Sequence, residues 1–156
     1  LYGATSGNLF AAGQAGERLC VRNSGATAVV EGAGTNACEY MTGGCVVILG
    51  EVGDNFGAGM TGGMAYVYDR DDPFIERANP ASLEMVRIRS SHWERELKSL
   101  VEAHATKTDS ALALRLLNEW NAELARFWQV VPTEVFDRLE APLSDGAVLA
   151  DGVWSG

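Results

Sequence analysis

Basic side chains are scarce in this chain: 12 Lys and Arg stand against 21 Asp and Glu, for a formal charge of -9. The phosphate-neutralising surface that nucleic acids or anionic membranes require is therefore missing, and neither partner is expected. The 3 cysteines, Cys20, Cys38 and Cys45, form no C-x-x-C pair, which argues against a disulfide framework and against a four-thiolate metal site. A reducing, cytoplasmic setting is expected. No apolar run reaches the roughly 18–20 residues that a membrane-crossing helix needs. The N-terminus Leu1-Tyr2-Gly3-Ala4 is neither a basic leader nor a starting Met, so the expectation is a chain cut from something longer.

Glycine, by contrast, is abundant and unevenly placed, with 15 of the 18 before residue 64, while all 4 prolines and all 4 tryptophans come later. Gly7, Gly16, Gly25, Gly34 and Gly43 are spaced by nine, and so are Gly44, Gly53 and Gly62. A register of nineteen is stronger still: Met41-Thr42-Gly43-Gly44 recurs as Met60-Thr61-Gly62-Gly63, and residues 26–44 lie over 45–63 without a gap. That overlay stacks Ala28 with Val47 and Tyr66, Val29 with Ile48 and Val67, and Val30 with Leu49 and Tyr68, all residue types suited to strands. It also places Asn36 over Asn55. Residues 9–25 form a looser preceding copy.

A period near twenty with a glycine-marked bend every nine or ten residues is too short for paired helices. The predicted fold is mainly β: a single-stranded β-helix of about 19-residue coils over residues 1–80, in which glycine supplies the positive φ of each corner. A sandwich of hairpins is the alternative, but hairpins need no translational repeat. If the chain starts inside the repeat, the strand around Leu9 to Ala12 is an open edge through which two copies can pair.

Residues 81–143 are predicted to be a helical extension packed on the solenoid. Ser91-His92-Trp93-Glu94 has capping-box spacing, and Trp93, Leu97, Leu100, Val101 and His104 follow a three-four rhythm. Leu112, Leu116, Leu117, Trp120 and Leu124 repeat it, with Phe127, Trp128 and Val131 continuing the helical apolar surface to Pro132. Residues 144–156 are expected to be a loosely held tail.

Several motifs suggest chemistry that their context does not sustain. Gly57-Ala58-Gly59-Met60-Thr61-Gly62 fits the dinucleotide fingerprint, but Gly62 is followed by a strand-like run where a helix should begin. Cys45 falls in an apolar ladder with Ala26 and Met64, while Cys20 and Cys38 fall at non-equivalent positions without a neighbouring histidine. His92 and His104 belong to one helix and make no triad, with a structural role expected for His104 near the helix C-terminus. Asp69, Asp71 and Asp72 read as a solvated turn before Pro73, and Asn36 over Asn55 as an amide ladder. No catalytic, cofactor-binding or metal-ligating residue is predicted.

The segments Gly25–Gly32, Asn36–Gly44 and Gly53–Gly63, together with the helices that follow, resemble the C-terminal GXGXG-motif domain of the glutamate synthase large subunit. Stand-alone β-helix subunits of other redox complexes, such as the one in formylmethanofuran dehydrogenase, are similar only in the glycine repeats, and a nucleotide-binding enzyme is the remaining alternative. The resemblance implies a right-handed β-helix lying between an amidotransferase domain and a synthase domain that holds FMN and an iron-sulfur cluster. That enzyme turns glutamine and 2-oxoglutarate, with two electrons, into two glutamates. The family's amidotransferase cysteine, FMN site and cluster ligands have no counterpart in this segment, so the resemblance implies a non-catalytic scaffold in contact with the other domains of the same subunit.

Overall fold

In a computed structural model, residues 3–69, 74, 78, 83–139 and 143 are described. Strands β1 (Asn8–Phe10), β2 (Ser24–Val30), β3 (Thr42–Ile48) and β4 (Gly62–Tyr68) pair in parallel, each with the next in sequence. Successive parallel neighbours joined by short non-helical segments are the signature of a solenoid, because each coil climbs one strand spacing of about 4.8 Å. The β-helix expectation is therefore met, with coils near nineteen residues.

The register differs from the sequence overlay by one residue between β2 and β3. Val29 pairs with Val47 and then Tyr66, and Val30 pairs with Ile48 and then Val67, so Val29, Ile48 and Val67 do not form one ladder. The intervals from β1 to β2, β2 to β3 and β3 to β4 are 19, 18 and 19 residues. The additional residue lies in the bend, where Leu49-Gly50-Glu51-Val52 replaces Glu31-Gly32-Ala33. A bend absorbs such an insertion, whereas a one-residue slip within a strand would turn every side chain to the opposite face.

Alternation then gives the sheet two buried faces. Ala28, Val30, Val46, Ile48, Ala65 and Val67 point into the solenoid, where they meet Cys20, Cys38, Met41, Phe56 and Met60 from the opposite side of the coil. Val29, Val47, Leu49, Tyr66 and Tyr68 point outward into a second cluster with the helices.

The entry corner of each strand requires glycine. A Cβ on Gly43 or Gly62 would collide with the carbonyl oxygen of Ser24 or Thr42 in the preceding coil. The next residues, Gly44 and Gly63, take φ of 90° and 83°, as the glycine-corner expectation requires. Gly7 before β1 also has positive φ, at 106°, but the β2 coil has Ala26 there, and its corner is made differently. The buried Asn23 side chain accepts from the Ala26 amide and donates to the Ala26 carbonyl, both at 2.9 Å.

Beyond the coils the sheet continues antiparallel, in the order β1-β2-β3-β4-β6-β5, with β5 at Leu83–Arg87 and β6 at Phe127–Pro132. Phe127, Trp128 and Val131 thus lie in a strand rather than in the predicted extension of the second helix. A short run that is apolar except for Gln129 satisfies both periods, and the free edge of β4 decides between them. Helix α1 spans Ser91–Thr108, α2 Ala111–Asn118 and α3 Trp120–Leu124, and a 3-10 turn covers Thr133–Arg138. The N-cap of α1 is Ser90, not Ser91, and its side chain makes no cap bond, so the expected capping box does not form.

Candidate functional site

The most concentrated polar chemistry lies where the helices cover the sheet. Glu31 follows Val30 directly, at the next outward-facing position of the ladder that continues through Leu49 and Tyr68. Its Oε2 accepts the Ser110 hydroxyl at 2.7 Å and lies 2.8 Å from Nε2 of His104, which is fully buried in the last turns of α1. Ser110 is the N-cap of α2 and accepts the Ala113 amide at 3.1 Å, so its hydroxyl both donates and accepts. Thr108 closes the end of α1 by donating to the His104 carbonyl at 2.8 Å.

With Glu31 ionised, Nε2 carries the imidazole proton and donates it. Nucleophilic catalysis needs the reverse order, with the imidazole accepting from the serine hydroxyl while the acid holds its other nitrogen. Here the carboxylate sits between serine and histidine, and His104 Nδ1 is buried with no partner. The cluster is a clamp: one acid on the coil holds the end of α1 and the start of α2.

Other acids repeat the device. Glu96 Oε1 accepts from Tyr66 at 3.4 Å and lies 3.7 Å from the Cys45 thiol. Glu123 accepts the Tyr68 hydroxyl, and Glu94 accepts Trp120 Nε1 at 3.3 Å. Burial, reinforced by Glu123, raises the Tyr68 pKa. Asp69 Oδ2 accepts Trp128 Nε1 at 3.0 Å and the Phe74 amide at 3.1 Å. Arg87 stacks 3.6 Å over the Trp128 ring and donates to the Phe127 carbonyl. Its pKa is lowered by burial, partly offset by Asp69. Asp69 is thus a structural acceptor, while Asp71, Asp72 and Pro73 lie outside the described residues.

The remaining sequence candidates are scattered. Gly57 and Gly59 form corners with φ of 74° and 69°, and Gly62 opens β4, so the run leads into a strand and not into the helix that the fingerprint requires. Cys20 and Cys38 occupy equivalent positions, contrary to the nineteen-residue overlay, because the interval between the β2 and β3 coils is 18. Both are buried in the interior cluster with φ near 60°. Cys45 faces the helices instead and pairs with Thr27 rather than Ala26. Burial pushes the Cys20 thiol up to about 11 and raises Cys38 and Cys45 well above 9.0, Glu96 adding to the effect at Cys45. Thiols divided between the coil interior and its helix-facing side do not converge on one site, as iron-sulfur ligation requires. Among the described residues, no group of three or more His, Cys, Asp or Glu is placed to hold a metal ion. Asn55 is exposed, and Asn36 and Asn55 share φ of 59° and 60°. What repeats along this stack is a left-handed corner, not a buried amide ladder.

That left-handed pattern is the feature the sequence does not disclose. Positive φ recurs at Arg18, Cys20 and Arg22, at Asn36, Cys38 and Tyr40, and at Asn55, Gly57 and Gly59. Only the last trio carries two glycines, so a search for glycine corners finds one row of three.

These features together define a glycine-cornered β-solenoid that carries its own helical cover. The chain belongs to the GXGXG motif family, whose model matches residues 1–133. It is 62% identical over 143 residues to the "Glutamate synthase [NADPH] large chain" of Azospirillum brasilense, covering 92% of this chain. It is 57% identical to a "Ferredoxin-dependent glutamate synthase" of Pyropia yezoensis over 85% of its length. Identity to "Ferredoxin-dependent glutamate synthase 1, chloroplastic/mitochondrial" of Arabidopsis thaliana is 54% over 90%. In each case the chain spans 9% of the relative's length.

Proposed function

We propose that this chain is the β-solenoid segment of a cytoplasmic glutamate synthase large chain, and that it serves there as a non-catalytic scaffold. The carrying observation is identity of 62% along 92% of the chain to part of a glutamate synthase large chain. The local chemistry agrees with a scaffold: Glu31, Glu96 and Glu123 hold helices to coils, Glu94 joins two helices and Asp69 ties the last coil to β6, and the thiols are kept protonated. On this reading glutamine hydrolysis, and the reductive step that joins ammonia to 2-oxoglutarate, take place on other parts of the polypeptide. Those parts also hold the FMN and the iron-sulfur cluster. This segment fixes their spacing.

The test is Val47→Asp in the intact large chain. Val47 is fully buried between the sheet and the helices, where an unpaired carboxylate costs several kcal/mol. Glutaminase turnover should persist while glutamate formation per glutamine consumed falls, or the large chain should fail to assemble. Turnover of either half-reaction by the 156-residue chain alone would refute the scaffold reading.

A further inference from the structure

The outward face of the strands is covered by helices, whereas the opposite side of the coils carries exposed positions among the described residues. There the left-handed positions stack into an exposed strip in which Arg18, Asn36 and Asn55 form one row and Arg22, Tyr40 and Gly59 the next. Tyr40 is 54% exposed, one of two large apolar side chains described as exposed, the other being Leu114 on α2. Its ring is held on both sides. A Cβ on Gly59 would lie 2.5 Å from the ring carbons, so the ring rests against that backbone, and the Arg22 guanidinium lies 5.8 Å from the ring centroid on the preceding coil.

Gly59 adopts this corner without a side-chain penalty, whereas Arg22 and Tyr40 adopt it against the preference of residues with a Cβ. The corners are held by inter-coil hydrogen bonds, the Arg22 amide to the Glu39 carbonyl at 2.9 Å and the Tyr40 amide to the Ala58 carbonyl at 2.8 Å, while both side chains remain exposed. Charge on the strip is also selective: Arg18 and Arg22 are the only basic residues among residues 1–69 of a chain whose net charge is -9. A propped tyrosine beside arginines, in a frame too stiff to rearrange, has the composition of an interface anchor.

We infer that this strip is the face by which the solenoid docks on the rest of its own large polypeptide. The complementary segment presents a carboxylate to Arg18 and Arg22 and an apolar side chain to the Tyr40 ring. The inference rests on the large-chain reading above. The choice of occupant follows from two facts: the relatives are long chains of which this one spans 9%, and the helices already cover the other face.

Hydroxyl-radical footprinting of the intact large chain tests it, using Leu114, 51% exposed, as the internal reference. After correction for intrinsic reactivity, Tyr40 should be protected roughly tenfold more than Leu114, as expected of a desolvated anchor. Tyr40→Gly and Arg22→Gly relieve the left-handed backbone and so keep the coils folded. They should nonetheless speed proteolytic release of this segment several-fold, while Tyr40→Phe restores the parent rate. Equal protection of Tyr40 and Leu114 would overturn the inference and leave the scaffold reading standing. Protection that appears only with rising protein concentration would assign the strip to a second copy instead, and overturn it too. A native polypeptide of only 16.7 kDa would overturn the large-chain reading, and this occupant with it.

Discussion

Two apolar clusters share one sheet and are built from different material. Inside the solenoid the strands contribute Ala28, Val30, Val46, Ile48, Ala65 and Val67, packed against small or flexible residues such as Cys20, Cys38, Met41 and Met60, with the Phe56–Phe74 pair as the large exception. Outside, Tyr66 and Tyr68 meet Trp93, Leu97, Leu116, Trp120 and Phe127. The interior lies between two runs of backbone whose separation is fixed by the coil, so side-chain volume must fit the backbone. The outer cluster lies under helices that can settle at a distance chosen by the side chains, commonly about 8–10 Å between packed elements. The inner core is therefore specified by corners, the outer one by large side chains and acid clamps.

The sharpest way to break that contrast is at a corner. Gly44→Val places a β-branched residue at φ of 90° and drives its Cβ into the Ala26 carbonyl and to 2.7 Å from Asn23 Nδ2. Strain and overpacking together should cost about 4 kcal/mol, enough to abolish a cooperative melt. A parent-like melting temperature would remove the corner from the account. Next in size is Trp120→Ala, which empties part of the outer cluster and frees Glu94, at about 3 kcal/mol. Here loss should be partial: helical circular dichroism should melt early while the β signal persists. Simultaneous loss of both signals would show that the two clusters form one cooperative unit.

Within the interior, the corner that leads into β2 can be converted to the pattern of the others. Asn23 precedes a corner that lacks a positive-φ glycine, and corresponds to Met41 and Met60 in the following coils. Asn23→Met should cost about 2 kcal/mol, because it leaves the buried Ala26 amide without its acceptor. Adding Ala26→Gly should recover about half, since the corner can then adopt the conformation of Gly44 and Gly63. Chemical denaturation of the two variants measures this, and additive losses would mean that the two kinds of corner are not interchangeable.

Such details mark where sequence reasoning reaches its limit in this protein. The solenoid is legible because corner glycines repeat as letters, and α1 because Trp93, Leu97 and Val101 repeat at helical spacing. The true strand register is not, since Val29 and Val30 are chemically equivalent to the residues beside them and a one-residue insertion can be placed at either end of a bend. Strand β6 reads as helix because an apolar run carries no period of its own. The Glu31–His104–Ser110 clamp joins positions 73 to 79 residues apart, and nothing local to Glu31 marks it. The left-handed rows are invisible wherever Arg, Cys or Tyr stands in place of glycine, so the proposed docking strip emerges only from backbone angles.

The smallest expected effect separates the clusters by titration. Burial raises the thiol of Cys20 to about 11 and that of Cys38 well above 9.0, both in the interior, while Cys45 on the outer face is raised by burial and by Glu96. A folded-state pKa above the unfolded value means that the native chain holds its proton after the unfolded chain has lost it. The associated stability is complete below about pH 9 and is lost as pH rises through the folded values. Each thiol that ionises only in the unfolded state removes up to about 1.4 kcal/mol per pH unit. The melting temperature should therefore hold to about pH 8.5 and decline beyond it. Cys38→Ala should make the decline shallower for the whole chain, because the interior thiol stays shielded as long as the coils stay stacked. Cys45→Ala should flatten only the part of the melt that reports helix release. Identical alkaline slopes in the parent and in both variants would mean that the thiols reach solvent before unfolding, and that neither cluster excludes water at those positions.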